Sequence, residues 1–350
     1  MQKRLLLWFA SMPLSQYTHA GLERLMNVLA VRHCKLTYPT GNKSFSVMQA
    51  FPGAFSTEES DPFLMCDIFG PKPSAGLELD PDSFPVGWHP HRGQDVVTYM
   101  REGVVRHADS LGNRVSFPAP GMQWCCARSG IEHAEGGGTP KGHMEHGFQI
   151  WVNVPSVQKM DDPTYGVEPR ENIPFVFDAS NGSEVRVLAG PFLDAQSSTL
   201  RIGPFKTSVK ALMLDVTVPP SQRWSYTIGE EGKDFNNALL VCYQGSGAVH
   251  DADGRRYSVA SFDAVRLDMN SRAKQLQVSA SGEMPFQLIV FVGKRLDEPV
   301  AWHGPIVMST EAQLAIAFEE LRNHTFLKRS ASWDWKKIAS FPPGALQAPK

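Results

Sequence analysis

Two short residue pairs carry most of the chemistry legible in this chain. The first is His89 and His91, within Gly87-Trp88-His89-Pro90-His91-Arg92-Gly93; the second is His133 and Glu135, within Gly130-Ile131-Glu132-His133-Ala134-Glu135-Gly136. In extended backbone, residues i and i+2 point to one face, so each pair can aim two side chains at a single point. Pro90 cannot donate to a strand ladder, which puts the first pair at a strand end or edge, beside a cavity mouth. If the two strands face each other inside a small barrel, three imidazole nitrogens and one carboxylate oxygen converge. Such a donor set fills four positions of an octahedron and leaves two open. It suits iron(II), manganese, nickel or copper(II) better than structural zinc. Either pair alone is more simply a hydrogen-bonded core or surface histidine. Both together, each flanked by glycine, argue for a metal.

Other groups carry less. Cys125-Cys126 lies upstream of the second pair, where thiols beside a metal would be redox-sensitive, but small packing residues of a strand are the simpler reading. His107, His143 and His146 are candidates for groups around the metal ligands; the last two sit in the polar, glycine-rich GGGTPKGHMEH, which predicts exposure. Gln123, Trp124 and Trp151 either line a pocket or belong to the core. The glycines 136–138 are not followed by the Lys-Ser/Thr of a phosphate loop, so no nucleotide site is expected. No Ser-His-Asp arrangement is supported by spacing.

The elements that must position these residues are mostly strands. The chain has 350 residues, 42% hydrophobic and 20% charged, with 29 glycines and 26 prolines between short apolar runs. This is enough chain for two domains with buried cores. Strands are predicted at Gln94–Met100, Gly147–Val154, Glu184–Leu188, Ala211–Val218, Ala238–Tyr243 and Phe286–Val292. A helix is predicted over Ser309–Asn323, with Leu314, Ile316, Ala317 and Leu321 at helical spacing, and an amphipathic turn set over 21–32. The polar, proline-bearing stretch 155–174 reads as a connector. The two halves resemble distant repeats, 104–113 matching 247–254.

Composition excludes several classes. The formal net charge is −2, without a basic face, so direct nucleic-acid binding is not expected. No apolar run reaches the ~20 residues of a spanning helix. Five cysteines without a CxxC argue for free thiols in a reducing compartment.

Asp61-Pro62-Phe63-Leu64-Met65, His89-Pro90-His91-Arg92-Gly93 and Thr98-Tyr99 together resemble the opening signature of the pirin family. Pro120-Gly121-Met122-Gln123-Trp124 and Gly130-Ile131-Glu132-His133-Ala134-Glu135 resemble its second signature. Gln149–Pro155 is similar to the strand closing its first domain, and Glu298–Met308 with the following helix to its C-terminal segment. The resemblance runs from about residue 37 to 336. It implies an all-β bicupin: two antiparallel cupin-type β-barrels with a C-terminal helix packed back on the fold. It also implies one metal, usually iron(II), on His89, His91, His133 and Glu135 of the first barrel, and a metal-free second barrel. Two departures stand out. Gln94-Asp95-Val96 replaces a frequent Phe-Glu-Thr, and Cys125-Cys126-Ala127-Arg128 replaces Met-Thr-Ala-Gly, which puts the loop around Arg128 in question.

The expected layout is an extension over 1–36, a metal-binding barrel over 37–158, a linker over 159–174, a metal-free barrel with its helix over 175–336, and a tail over 337–350. Two functions follow from the resemblance. One is a quercetin 2,3-dioxygenase-type oxidoreductase acting on a small flavonol-like aromatic, with Glu135 as ligand or as the base for the substrate hydroxyl. The other is an iron-dependent redox sensor that binds a transcription factor. A monomer in the cytoplasm or nucleus is expected. The segment 1–36 also fits a mitochondrial or secretory signal.

Overall fold

Short apolar runs broken by glycine and proline turns give strands that can bury a face only by closing into barrels. The computed structural model describes residues 25–39, 45–76, 84–269 and 274–336. It contains β1 (Val28–His33), then the strands of the first barrel: β2 (Lys35–Thr37), β3 (Val47–Phe51), β4 (Phe63–Pro73), β5 (Val86–His91), β6 (Gln94–Glu102) and β7 (Val104–Asp109). These continue with β8 (Arg114–Pro118), β9 (Gly121–Cys126), β10 (Ile131–Gly138), β11 (Met144–Asn153) and β12 (Thr164–Glu168). A seven-stranded sheet, β12-β9-β6-β11-β4-β3-β2, faces a four-stranded one, β5-β10-β7-β8.

The second barrel repeats the plan with β13 (Phe175–Asp178), β14 (Ser183–Asp194), β15 (Thr199–Pro204), β16 (Ala211–Val218), β17 (Arg223–Thr227) and β18 (Asn237–Gln244). It closes with β19 (Ser246–His250), β20 (Arg256–Ala260), β21 (Asp263–Leu267), β22 (Gln275–Ser281) and β23 (Phe286–Gly293). Its sheets run β1-β21-β18-β23-β16-β14-β13, with β15 on β14, and β17-β22-β19-β20. The repeat expected from sequence is real at the level of hydrogen bonds. In the β7–β8 turn, Asp109 Oδ1 accepts from the amides of Leu111 and Asn113; in the β19–β20 turn, Asp251 Oδ1 accepts from those of Asp253 and Arg255.

The barrels differ inside. Val187, Leu212, Leu214, Trp224, Tyr226, Val278 and Leu288 belong to the apolar cluster that fills the second. Its His250 bonds Ser279 Oγ at 2.8 Å. A second cluster joins the barrels, with Phe51, Phe63 and Phe148 from one and Phe205, Met213 and Phe291 from the other. Beside it, buried Asp215 accepts from Tyr99 Oη, Tyr243 Oη and Arg101 Nη1, each at 2.6 Å.

Both ends of the described chain cross over. β1 pairs with β21, Val31 opposite Val265, and so completes the second barrel's sheet. At the other end, the hairpin β24 (Ala301–His303) and β25 (Ile306–Met308) returns to the first barrel, where Ile306 bridges Arg92. The following helix, Glu311–Arg322, starts at Thr310, whose Oγ1 accepts from the amide of Gln313. It buries Leu314 and Ala317, while Ile316 faces solvent. Arg92 fixes this segment. It donates to Ser129 O and Phe326 O at 2.7 Å, pairs with Glu320 at 2.7 Å and lies 4.1 Å over the Phe326 ring.

Three expectations need correction. Within 21–32, Val28 onward is strand rather than helix, because the open edge of β21 supplies partners that no local pattern reveals. The extension over 1–36, expected as a possible signal, is therefore part of the fold from residue 25; its residues 1–24 and the tail over 337–350 lie outside the described residues. The connector 159–174 is not structureless, since β12 pairs with β9 and Lys159 is buried. Burial pulls the Lys159 ammonium down to about 8, and its Nζ donates to Gly93 O, Asn153 Oδ1 and Val307 O.

Candidate metal centre

The two pairs singled out in the sequence lie on adjacent antiparallel strands. His133 on β10 sits opposite His89 on β5, and Ile131 opposite His91. An extra residue in β5 then shifts the register, so that Glu135 faces Val86. Such a bulge re-aims the side chains beyond it. On its other edge β10 pairs with β7, which sets His107 directly opposite Glu135.

The three imidazoles of His89, His91 and His133 converge, with ligand-capable nitrogens within 4.8 Å of one another. His89 Nε2 and His133 Nε2 are 2.9 Å apart. Two nitrogens in adjacent positions around a metal, with bonds of about 2.1 Å, stand about 3 Å apart. Glu135 does not reach all three rings at that spacing. It forms an overlapping group with His133 and His107. Its carboxylate is gripped by Gln149 Nε2 on Oε1 at 2.9 Å, and by Gln123 Nε2 and Thr98 Oγ1 on Oε2 at 2.9 and 3.2 Å. The structure thus gathers three of the four expected groups tightly and sets the fourth beside them.

The rings are prepared for a cation. Nδ1 of His89 donates to Gly87 O at 2.8 Å, which leaves Nε2 as the lone-pair nitrogen. Burial, reinforced by neighbouring His89, pushes His91 and His133 well below the usual histidine range, so both are neutral. Among the described residues, His91 Nε2, His133 Nδ1 and His107 Nδ1 are buried without a hydrogen-bond partner. A buried lone pair left unpaired costs about 1–3 kcal/mol. A divalent ion between the facing Nε2 atoms of His89 and His133 would also take up the orphaned Nε2 of His91, so the residues fit a metal.

Several neighbours hold the ligands in place. Gln94 Nε2 lies 2.9 Å from His91 Nδ1 and 2.8 Å from Pro305 O, tying the ring to the C-terminal hairpin. The sequence marked Gln94 only as a departure from the family pattern. Gly93, at φ +84°, admits the same hairpin, because a Cβ there would stand 1.8 Å from Val307 O. Arg128 occupies the left-handed region at φ +42° in place of the usual glycine, and its carbonyl still accepts from Gly93 N.

The secondary candidates divide. His107 is buried, stacks on Tyr165 at 4.2 Å and contacts Asp109. Gln123 reaches Glu135, and Trp151 packs on His91 at 5.1 Å, whereas Trp124 faces the second barrel and stacks on Phe205. His143 is exposed as expected. His146 is not: it is buried against Phe148 and Tyr243, and burial pulls it down to about 4. Cys125 and Cys126 are buried thiols pushed up by desolvation, which favours the packing role.

A cavity of about 880 Å³ opens onto these groups. His89, His91 and Glu135 lie on its wall with Val47, Met65, Phe69 and Trp151, while Trp302 and Pro305 of the C-terminal segment close one side. This volume suits a drug-sized molecule held by apolar walls and a few polar groups.

Comparison with known proteins fits this architecture. The pirin family model matches residues 44–152, and the model of the pirin C-terminal cupin domain matches residues 213–327. The chain belongs to the pirin family. Among pirin relatives, a pirin-like protein of Caulobacter vibrioides is 33% identical over 82% of this chain and 95% of its own length. A Pseudomonas aeruginosa protein, named as a candidate quercetin 2,3-dioxygenase, is 34% identical over 77% of this chain and 88% of its own. The fold is shared with a crystal structure of quercetin 2,3-dioxygenase from Acinetobacter baumannii. That match has a TM-score of 0.72 and 24% identity, covering 86% of this pirin and 98% of that chain. No helix among the described residues is long and apolar enough to cross a membrane.

Proposed function

We propose that His89, His91 and His133, with Glu135, hold one divalent transition metal, iron(II) in the cell, and that the cavity above them takes a flavonol-like aromatic for oxidative cleavage. The observation that carries this reading is the convergence of three imidazoles, two of them (His91 and His133) buried and neutral, beside a large, mostly apolar cavity whose wall includes His89 and His91. When bound, the metal would supply Lewis acidity to a chelating hydroxyl-ketone pair and a route for electrons between substrate and dioxygen.

The protein's own groups do the rest. Met65, Phe69 and Trp151 offer apolar faces to the rings, and Trp302 with Pro305 keeps water from one side. In this reading Glu135 would accept the proton of the substrate hydroxyl. The donors from Gln149, Gln123 and Thr98 keep both its oxygens facing the site. Iron-loaded protein given quercetin and dioxygen should release carbon monoxide and the cleaved ester. The absence of turnover with iron, nickel, manganese and copper alike would refute the activity.

A second reading, docking of a transcription factor controlled by the metal's oxidation state, draws on one contact. Arg92, next to His91, grips Glu320 and Phe326 on the surface segment. Equal pull-down affinity for ferrous and ferric protein would exclude it.

A further inference from the structure

The wall of the cavity holds a carboxylate with no part in the metal site. Asp67 lies midway along β4, whose Met65, Asp67 and Phe69 share the cavity-facing side. Only 3% of its surface is exposed. Its Oδ1 accepts from Gln49 Nε2 at 2.8 Å. Burial raises its carboxyl to about 7, opposed by the Gln49 hydrogen bond; among the described residues no cation compensates it. A carboxylate kept among apolar side chains without a counter-ion is destabilising, and such groups cluster where a ligand is recognised.

The strand register gives Asp67 a definite place. Gln49, Asp67, Gln149, Thr98 and Gln123 stand directly opposite one another across β3, β4, β11, β6 and β9, forming one polar row over five strands. The Gln149-Thr98-Gln123 end grips Glu135; the Gln49-Asp67 end does not. Along this row Asp67 is one strand spacing from Gln149 and two, roughly 10 Å, from Thr98, both of which hold Glu135. That distance is comparable to the length of an aromatic of two or three rings.

We propose that Asp67, positioned by Gln49, is the second recognition group of the cavity and binds a hydroxyl on the end of the aromatic substrate remote from the histidines. The preferred substrates are therefore aromatics hydroxylated at both ends. A ring carrying only the metal-chelating oxygens would lack one of the two anchors. This rests on the reading of the cavity as an aromatic-substrate site.

The test measures binding of two probes to anaerobic, iron-loaded protein by calorimetry: quercetin, and its analogue without the two outer-ring hydroxyls. Asp67→Asn should weaken quercetin about tenfold, the scale of a hydrogen bond to a charged group, and leave the analogue within about twofold. Gln49→Leu should show the same selectivity with a smaller loss. Equal weakening of both probes, or of neither, overturns the role of Asp67 while leaving the proposed function standing. Failure of both probes to bind the unmodified protein overturns the two together.

Discussion

Replacing Asp67 by asparagine should make the metal-free protein more stable at neutral pH. The side chain is buried, and its carboxyl is raised from the ordinary 3.8 to about 7. For a carboxyl raised on folding, the unfolded chain releases its proton first. The penalty begins as pH rises past about 4, grows until the folded value near 7, and is constant above it. A gap of about 3 in pKa corresponds to ~4 kcal/mol at most. Asparagine has nearly the same shape and can accept the Gln49 hydrogen bond, so little else changes. Urea unfolding of both proteins between pH 4 and 8 isolates the term, because other titrations cancel in the difference. The two should match at pH 4 and diverge by ~2–4 kcal/mol at pH 7.5, with the asparagine form the more stable. A flat difference, or a loss of stability at pH 7.5, would refute the placement of an uncompensated carboxylate in this wall. Stability gained where binding is lost is the usual mark of a functional residue.

Further outcomes can be stated. His91→Ala should lose metal by about tenfold or more, by elemental analysis, with its circular dichroism unchanged; full retention would remove this ring from the ligand set. Arg128→Gly should stabilise the protein by ~1 kcal/mol in urea, since it relieves a left-handed conformation in a residue with a Cβ; destabilisation would show that the arginine's packing outweighs its backbone cost. Asp215→Ala should cost ~3–5 kcal/mol, because it leaves the Arg101 guanidinium and two tyrosine hydroxyls unpaired between the barrels. A loss below ~1 kcal/mol would contradict that account.

Most strands were legible because apolar runs ended at turn residues, as at Ala211–Val218, where the predicted and observed bounds coincide. The i, i+2 spacing correctly paired His89 with His91. It could not foresee the bulge in β5 that sets Glu135 apart, since register depends on the partner strand. β1 was misread as a helix for the same reason: its partner is more than 200 residues away. His146 sits in polar sequence, yet it begins the part of β11 that passes between the barrels. Asp67 left a faint signal, a single acid inside Phe63-Leu64-Met65-Cys66-Asp67-Ile68-Phe69. Its period-two neighbours identify the face, but only the closed barrel shows that this face lines a cavity.

The crossing of the chain ends bears on how the molecule can be divided. A fragment cut between the barrels would leave the N-terminal piece without the hairpin that closes one side of its pocket. The C-terminal piece would lack an outer strand and expose a bare sheet edge prone to self-association. The two modules are thus mutually stapled, and the polypeptide is indivisible as a working unit although its sequence reads as a tandem.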